Sequence, residues 1–282
     1  MIEPPIFFSS VVLMTTSDRI AYDACPLCGS ADFSALRKGD CSRHPLYVHA
    51  AKGGDGKLSP LIRWCACQAC GHVFTDGYFT DAAFARLTGM VNPGQIVGAD
   101  FERQRPVAAR MIEKVLPFAT DGVWLDVGFG NGALLMAARE YGFDAVGCDL
   151  RPAAVTALQN TGIEAHLSDI AALRLPRPCR VISMADVLEH LPYPKTGLQA
   201  AHERLEDGGI LLLSMPNSDA PAWQLLDRAN ANPYWGEIEH YHNFGRARLY
   251  RLLQDTGFAP LRYGISERYR VCMEVIARKI AA

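Results

Sequence analysis

The sequence lacks three features that would each indicate a large class of proteins. No apolar run reaches the roughly 18 residues that a membrane-spanning helix requires. Charge is nearly balanced, with 28 Lys and Arg against 30 Asp and Glu, so there is no overall basic excess of the kind that favours nucleic-acid binding. No basic segment precedes the first apolar stretch, residues 6–14, which argues against a signal peptide. These absences favour a cytoplasmic protein without a membrane or nucleic-acid partner.

What is present is the composition of a folded protein. Of its 282 residues, 49% are hydrophobic and 21% are charged, which is enough apolar surface for a substantial core. The length allows one large domain and a small one. Nothing in the composition predicts an oligomeric state.

A glycine-rich turn at residues 123–132, VWLDVGFGNG, is the most informative stretch. Its strand-like beginning ends after Asp126, and a helical run, 133–141, follows it directly. The three glycines are Gly128, Gly130 and Gly132. A strand, a glycine turn and a helix form a nucleotide-binding unit, because glycine permits a sharp bend and the approach of a ligand to bare main chain. With Ala133, the spacing also satisfies the dinucleotide pattern G-x-G-x-x-G/A, so the turn alone leaves the ligand class open.

Three further landmarks follow the turn. A second apolar segment, 144–149, ends at Asp149, whose carboxylate can accept hydrogen bonds from both ribose hydroxyls of an adenosine. A third, 163–169, ends at Asp169. A fourth hydrophobic strand at 181–185 leads into the sequence D-V-L-E-H.

In this order and spacing, the landmarks resemble those of class I S-adenosylmethionine (SAM)-dependent methyltransferases, and D-V-L-E-H is similar to that of the ubiquinone-pathway O-methyltransferases. The resemblance implies an α/β fold with a Rossmann-like seven-stranded sheet, whose last strand is antiparallel and lies at the edge. It implies SAM as the cofactor, and the ammonium and sulfonium of SAM suit a site rich in acids. The cofactor-binding residues it implies are Asp126, Gly128, Gly130, Gly132, Asp149, Leu150, Asp169, Ile170, Met184 and Ala185.

Two histidines are the candidate catalytic residues. His190 follows the fourth strand, and His240 begins a segment that resembles the E-H-x-x-x-F of the family. Either histidine could deprotonate an acceptor hydroxyl. The alternatives are that His190 only bonds backbone before Pro192 and that His240 only orients other groups. Because no N/D-P-P-Y/F motif follows the fourth strand, an oxygen or carbon acceptor is favoured over an amino group.

Six of the nine cysteines lie between residues 25 and 70. Cys25, Cys28, Cys67 and Cys70 form two C-x-x-C-G knuckles, which together supply the four thiolates of a structural Zn²⁺ site. Residues 29–66, 38 in all, separate the knuckles, more than the usual 15–20 of a zinc ribbon. We therefore expect an insertion with a loop at 52–57. Disulfides are not expected in a cytoplasmic chain.

Four more potential ligands lie in this region: Cys41, His44, Cys65 and His72. They leave open a second metal, although a single closed site is the simpler interpretation. Such a site stabilises a small domain that lacks a sufficient core of its own.

The chain is predicted to contain an N-terminal arm (1–20), a zinc-ribbon-like module (21–80), a helical linker or lid (81–122) with a helix near 99–116, and a methyltransferase core (123–282). Two strands, 260–265 and 270–277, are expected to form a terminal hairpin.

The leading hypothesis is a methyltransferase for a small-molecule acceptor. One alternative is an RNA methyltransferase that grips RNA through Arg37, Lys38, Arg43, Lys52, Lys57 and Arg63. Another is a SAM-binding protein without catalytic activity.

Overall fold

The computed structural model describes residues 18–53, 58–88, 93–269 and 271–281. The strand or arm expected at 6–14 and most of the loop expected at 52–57 lie outside these ranges. Within them, no helix is both long and apolar enough to cross a membrane.

The N-terminal part contains five short strands and three helices. They are β1 (Arg19–Ala21), β2 (Phe33–Asp40), α1 (Pro45–Gly53), β3 (Leu61–Cys67), β4 (Val73–Thr75), β5 (Gly77–Phe79), α2 (Asp81–Thr88) and α3 (Phe101–Val115). The helix predicted near 99–116 corresponds to α3, whose buried face consists of Ala108, Met111, Ile112 and Val115. This face repeats at helical spacing, as expected of a helix packed on a core by one side.

The remaining chain alternates strands and helices. The elements are β6 (Val123–Val127), α4 (Ala133–Glu140), β7 (Asp144–Asp149), α5 (Pro152–Gln159), β8 (Glu164–Leu167), β9 (Cys179–Ala185), α6 (Pro194–Arg204), β10 (Leu205–Pro216), α7 (Pro221–Arg228), β11 (His242–Asn243), α8 (Arg246–Asp255), β12 (Phe258–Ile265) and β13 (Cys272–Lys279). Short 3₁₀ turns lie at Pro93–Gln95, Leu188–His190 and Pro233–Gly236.

Seven strands form one sheet in the order β12-β13-β10-β9-β6-β7-β8. The expected terminal hairpin is β12 and β13, and β13 is antiparallel to both of its neighbours. The antiparallel last strand is therefore confirmed, but its expected position at the edge is wrong, because β12 is the edge strand. Burial explains the arrangement: six consecutive residues of β13 are buried, whereas β12 is mostly half-buried or exposed.

Apolar clusters cover both faces of this sheet. Side chains of α3, α4 and α5 pack with Trp124 of β6 on one face. Side chains of α6 and α8 pack with Leu125 and Val127 on the other. Strands covered on both faces are continuously apolar, as β6 is apart from Asp126. Burying the Asp126 carboxylate in such a strand costs free energy, which a hydrogen-bond partner or a ligand has to offset.

A second sheet joins the two parts of the chain. Its order is β11-β4-β3-β2, so a strand from the C-terminal half completes the N-terminal sheet. His242 pairs with Phe74 and Asn243 pairs with Val73. A third apolar cluster, which includes Trp64, Trp223 and Trp235, extends this contact.

Candidate functional site

The glycine turn connects the carboxyl end of β6 to α4. Gly128, Gly130 and Gly132 have φ values of 64°, 56° and 75°, a region that L side chains rarely adopt. A Cβ on Gly128 would also come within 3.0 Å of Val187 Cγ2. The three glycines therefore form a tight turn. Without a side chain, Gly128 exposes its backbone to a neighbouring cavity.

Asp126 lies at the carboxyl end of β6 and is 4% exposed. Its Oδ1 accepts a hydrogen bond from Ser183 Oγ at 2.6 Å, and Ser183 Oγ in turn accepts one from Trp124 Nε1 at 2.9 Å. Burial raises the pKa of Asp126 to about 7. Hydrogen bonding thus holds the carboxyl group in a fixed position. A nearby cation would favour its ionised form and lower its pKa.

Asp149 ends the neighbouring strand β7 and is held by Arg151. The guanidinium donates to both carboxylate oxygens, from Nε at 2.9 Å and from Nη2 at 2.7 Å. The same Nη2 donates to Gly130 O at 3.1 Å. Arg151 therefore lies across the position where a ribose would contact Asp149.

A narrow cavity lies beside Asp126 and the start of the glycine turn, and side chains of α3 line it. Its lining residues are Gln104, Val107, Ala108, Met111, Asp126, Gly128, Phe129, Asn131, Ala133, Leu134, Ala185 and Arg268. The structure thus brings together Asp126, Gly128 and Ala185 from the predicted set. Four of the lining residues belong to α3, which lies within the segment predicted as a linker or lid.

The other predicted cofactor residues are not among the residues that line this cavity. Leu150 is exposed directly after β7. Asp169 Oδ1 accepts from Ala172 N at 2.7 Å and caps the turn that follows β8. Ile170 and Met184 are packed in the apolar cluster on the α6 side of the sheet. Any contact of these two with a cofactor would therefore come from their backbone.

His190 and His240 lie together, with ring centroids 4.7 Å apart. His190 Nδ1 donates to Glu239 O at 2.9 Å, so the backbone bond expected of His190 is made to the loop that carries His240. His240 is buried, and burial lowers its pKa well below the usual value. Burial therefore keeps this imidazole neutral and disfavours its protonated form.

Two residues beside this pair were missed by the sequence analysis. Glu189 is fully buried, and burial together with Asp186 raises its pKa. Arg268, from the β12–β13 hairpin, lies 3.2 Å from Asp186 and donates to Ala185 O at 3.2 Å. The sequence did contain an indication of Glu189, because this residue belongs to the D-V-L-E-H motif. No local pattern marks Arg268.

The four knuckle cysteines converge in the N-terminal part. Cys25 Sγ lies 3.8 Å from Cys70 Sγ, and Cys28 Sγ lies 3.6 Å from Cys67 Sγ. Thiolates bound tetrahedrally at about 2.3 Å from Zn²⁺ are separated by about 3.8 Å, whereas a disulfide requires about 2.05 Å. The sulfur positions therefore fit a tetrahedral metal ion.

The remaining candidate ligands have other partners. Cys41 Sγ donates to Pro60 O at 3.1 Å. His44 Nε2 bonds Glu237 Oε2 at 2.9 Å, and His72 Nε2 bonds His242 Nδ1 at 3.0 Å. Cys65 is buried in an apolar cluster. Across the described ranges, only the four knuckle cysteines come together in this part of the protein as a potential metal site.

Comparisons with known proteins agree with this geometry. A family model described as a methyltransferase domain matches residues 101–263. The ubiquinone biosynthesis O-methyltransferase of Idiomarina loihiensis is 29% identical over 118 residues, which cover 38% of this chain and 49% of that protein. The protein of the same name from Pseudomonas paraeruginosa is 31% identical over 107 residues, covering 35% and 46%. The chain thus spans about half the length of these curated relatives.

Among solved structures, magnesium protoporphyrin IX methyltransferase from Synechocystis PCC 6803 with bound SAH superposes with a TM-score of 0.51 at 18% identity. The match covers 71% of this chain and 95% of that one. At this identity the likeness establishes the fold.

Proposed function

The chain belongs to the methyltransferase domain family, and from that premise we propose that it transfers a methyl group from SAM to an oxygen or carbon of a small-molecule acceptor. The observation that carries this proposal is the placement of two carboxylates, Asp126 and Asp149, at the carboxyl ends of the neighbouring strands β6 and β7, beside the glycine turn. Such a site suits a ligand with a ribose and a positive charge.

SAM supplies a methyl group that its sulfonium has already activated, so the protein has mainly to align and desolvate the reactants. We assign the ribose to Asp149 and the positive part of the cofactor to the surroundings of Asp126. Arg151 has to leave Asp149 when the ribose binds. His190 and His240 serve the acceptor side, either by taking a proton or by contacting the acceptor.

We further propose that residues 21–80 form a module with one structural Zn²⁺ held by Cys25, Cys28, Cys67 and Cys70. The spacing of the sulfur atoms supports this assignment. Because four thiolates fill a tetrahedral shell, this ion stabilises the module and has no open position for catalysis. Strand β4 of the module pairs with β11, which lies in the segment 237–244. The module therefore helps to position this segment on the acceptor side of the site.

The proposal is tested by incubating the protein with methyl-labelled SAM and cell extract separated into metabolite, RNA and protein fractions. We expect label in the metabolite fraction and its loss in Asp149→Asn, with Asp144→Asn at the opposite, exposed end of β7 as the matched control. Label confined to RNA would instead establish the RNA methyltransferase. Binding of SAM without transfer to any fraction would establish a non-catalytic protein.

The described residues give the RNA alternative little support. Arg37 pairs with Asp227 at 3.1 Å and Arg63 with Asp76 at 3.6 Å, so two of the six basic residues are neutralised. Lys57 lies outside the described residues. The small-molecule acceptor therefore remains our proposal.

A further inference from the structure

A guanidinium and a carboxylate face the cavity beside the glycine turn without pairing with each other. Arg268 and Asp126 both line this cavity. They act on each other electrostatically, because burial raises the pKa of Asp126 and the charge of Arg268 opposes that rise. Among the contacts of the described residues, however, no hydrogen bond or ion pair joins the two side chains. A ligand that carries both a positive and a negative group could therefore pair with each of them.

The Arg268 guanidinium is fixed on one side and keeps donors on the other. Its Nη1 donates to Ala185 O at 3.2 Å and lies 3.2 Å from Asp186 Oδ2. A guanidinium has five N–H donors in a planar fork, and Nε and Nη2 make no hydrogen bond to another described residue. The side chain is 33% exposed. Arg268 can therefore offer a pair of donors to an incoming carboxylate, the bidentate arrangement that guanidinium groups favour.

The hairpin that carries Arg268 is fastened to α3. Glu267, the preceding residue, lies 2.8 Å from Arg110 Nε and 2.7 Å from Lys114 Nζ, and both of these basic residues belong to α3. Lys114 Nζ also lies 2.7 Å from Glu274 Oε1 of β13. The tip of the hairpin is thus held on the helix whose side chains line the cavity. A group held in place before its ligand arrives loses less conformational entropy on binding.

The other walls of the cavity suit a short aliphatic chain with polar ends. Gln104 contributes an amide from α3. Most of the remaining lining is apolar and comprises Val107, Ala108, Met111, Phe129, Ala133, Leu134 and Ala185. The methionine part of SAM has this pattern, since its methylene groups end in an α-ammonium and an α-carboxylate.

We propose that Arg268 binds the α-carboxylate of the methionine part of SAM, with the α-ammonium on the side of Asp126. The inference rests on the proposed function and deepens it, because it assigns part of cofactor recognition to the C-terminal hairpin. It implies that the protein distinguishes SAM from an analogue without the carboxylate. S-adenosylhomocysteine keeps the carboxylate and is bound by the same contact.

The experiment compares the binding of SAM and of decarboxylated SAM to the full chain by titration calorimetry. We expect the wild type to bind SAM roughly 10- to 100-fold more tightly, the ratio that hydrogen bonds to a charged group provide. Arg268→Gln should lose this preference through weaker binding of SAM, and should bind decarboxylated SAM at least as well as the wild type does. Arg262→Gln removes an exposed arginine of β12 in the same hairpin and should keep the preference. Retained binding of decarboxylated SAM also shows that each variant is folded.

The proposal is overturned if the wild type binds the two ligands equally, or if Arg268→Gln binds SAM unchanged. It also falls if Arg268→Gln loses affinity for both ligands to the same extent, since Arg268 would then only support the shape of the site. In these cases labelled methyl transfer by the wild type would leave the proposed function standing. If the preference depends on Arg268 but no fraction is ever methylated, the carboxylate site stands and the proposed function fails.

Discussion

At the scale of single residues, the proposed role of Asp126 predicts that cofactor binding depends on pH. The pKa of this residue is raised to about 7 by burial, and only the ionised carboxylate attracts a cation. We expect the affinity for SAM to rise between about pH 6 and pH 8, with proton release on binding that calorimetry in buffers of different ionisation enthalpy would detect. Asp126→Asn should bind SAM more weakly and with a flat pH profile. A wild-type affinity that falls over this range would contradict the assignment.

The contribution of Asp126 to stability should change with pH in the opposite direction to the affinity for SAM. The pKa of this residue in the unfolded chain is about 3.9, so the folded state holds the extra proton between about pH 4 and 7. The contribution of Asp126 to the free energy of unfolding therefore decreases as pH rises through this window. Urea unfolding at pH 5 and pH 8 should show a larger loss of stability in the wild type than in Asp126→Asn.

If Asp149 binds the ribose as proposed, Arg151 competes with the cofactor for its carboxylate. Because its guanidinium occupies both carboxylate oxygens, Arg151→Gln should free Asp149 and also remove a positive charge near a cationic ligand. We expect SAM to bind several-fold more tightly to this variant, as measured by calorimetry. Arg139→Gln, which removes an exposed guanidinium bonded to backbone carbonyls, should leave the affinity unchanged. Weaker binding in Arg151→Gln would show that Arg151 contacts SAM itself.

Some residues of this site could be predicted from the sequence and others could not. Asp126 and the three glycines could be located because they belong to one local strand–turn–helix pattern, and Asp149 because it ends the next apolar segment. Arg268 could not, because it reaches the cavity from a hairpin distant in the chain and only the folded sheet brings it there. The clamp of Arg151 on Asp149 is local, but two residues of opposite charge at this spacing do not by themselves predict a bond.

At the scale of elements, the two-residue strand β11 holds the proposed acceptor segment. His242 bonds His72 at 3.0 Å and donates from Nε2 to Leu191 O at 2.8 Å. His242→Leu would leave both buried partners unpaired, at a cost of roughly 1–3 kcal/mol. We expect reduced stability and slower methyl transfer with an unchanged affinity for SAM. His166→Leu, at a half-exposed histidine of β8, is the control and should change none of the three.

Elements with a strong local sequence pattern could be predicted. Which elements lie next to one another in the fold was harder to predict. Pro117 marked the end of α3, and the short link at 266–269 indicated the terminal hairpin. These signals did not show that β13 lies inside the sheet and β12 at its edge, because that choice depends on how deeply each strand is buried by helices from elsewhere. The pairing of β11 with β4 had no sequence signal, since two residues are too few for a periodic pattern.

At the scale of the whole molecule, the proposed zinc site predicts that the four knuckle cysteines stabilise the N-terminal part. Cys28 is exposed, so Cys28→Ser opens no cavity but removes one of four ligands. We expect loss of the zinc that otherwise survives mild chelation, with a lower melting temperature, since binding of such a metal contributes directly to folding. Cys41→Ser is the matched control, because a hydroxyl can still donate to Pro60 O. Loss of zinc in Cys41→Ser would instead place Cys41 among the ligands.

The sheet β11-β4-β3-β2 also constrains the order in which the protein folds. His72 and His242, which bond across it, are 170 positions apart in the chain. During synthesis the N-terminal strands therefore emerge long before the strand that completes their sheet. Contacts of such sequence separation slow folding and leave an unpaired edge exposed meanwhile. A nascent chain that ends before β11 should accordingly depend on chaperones, and the N-terminal part expressed alone should aggregate.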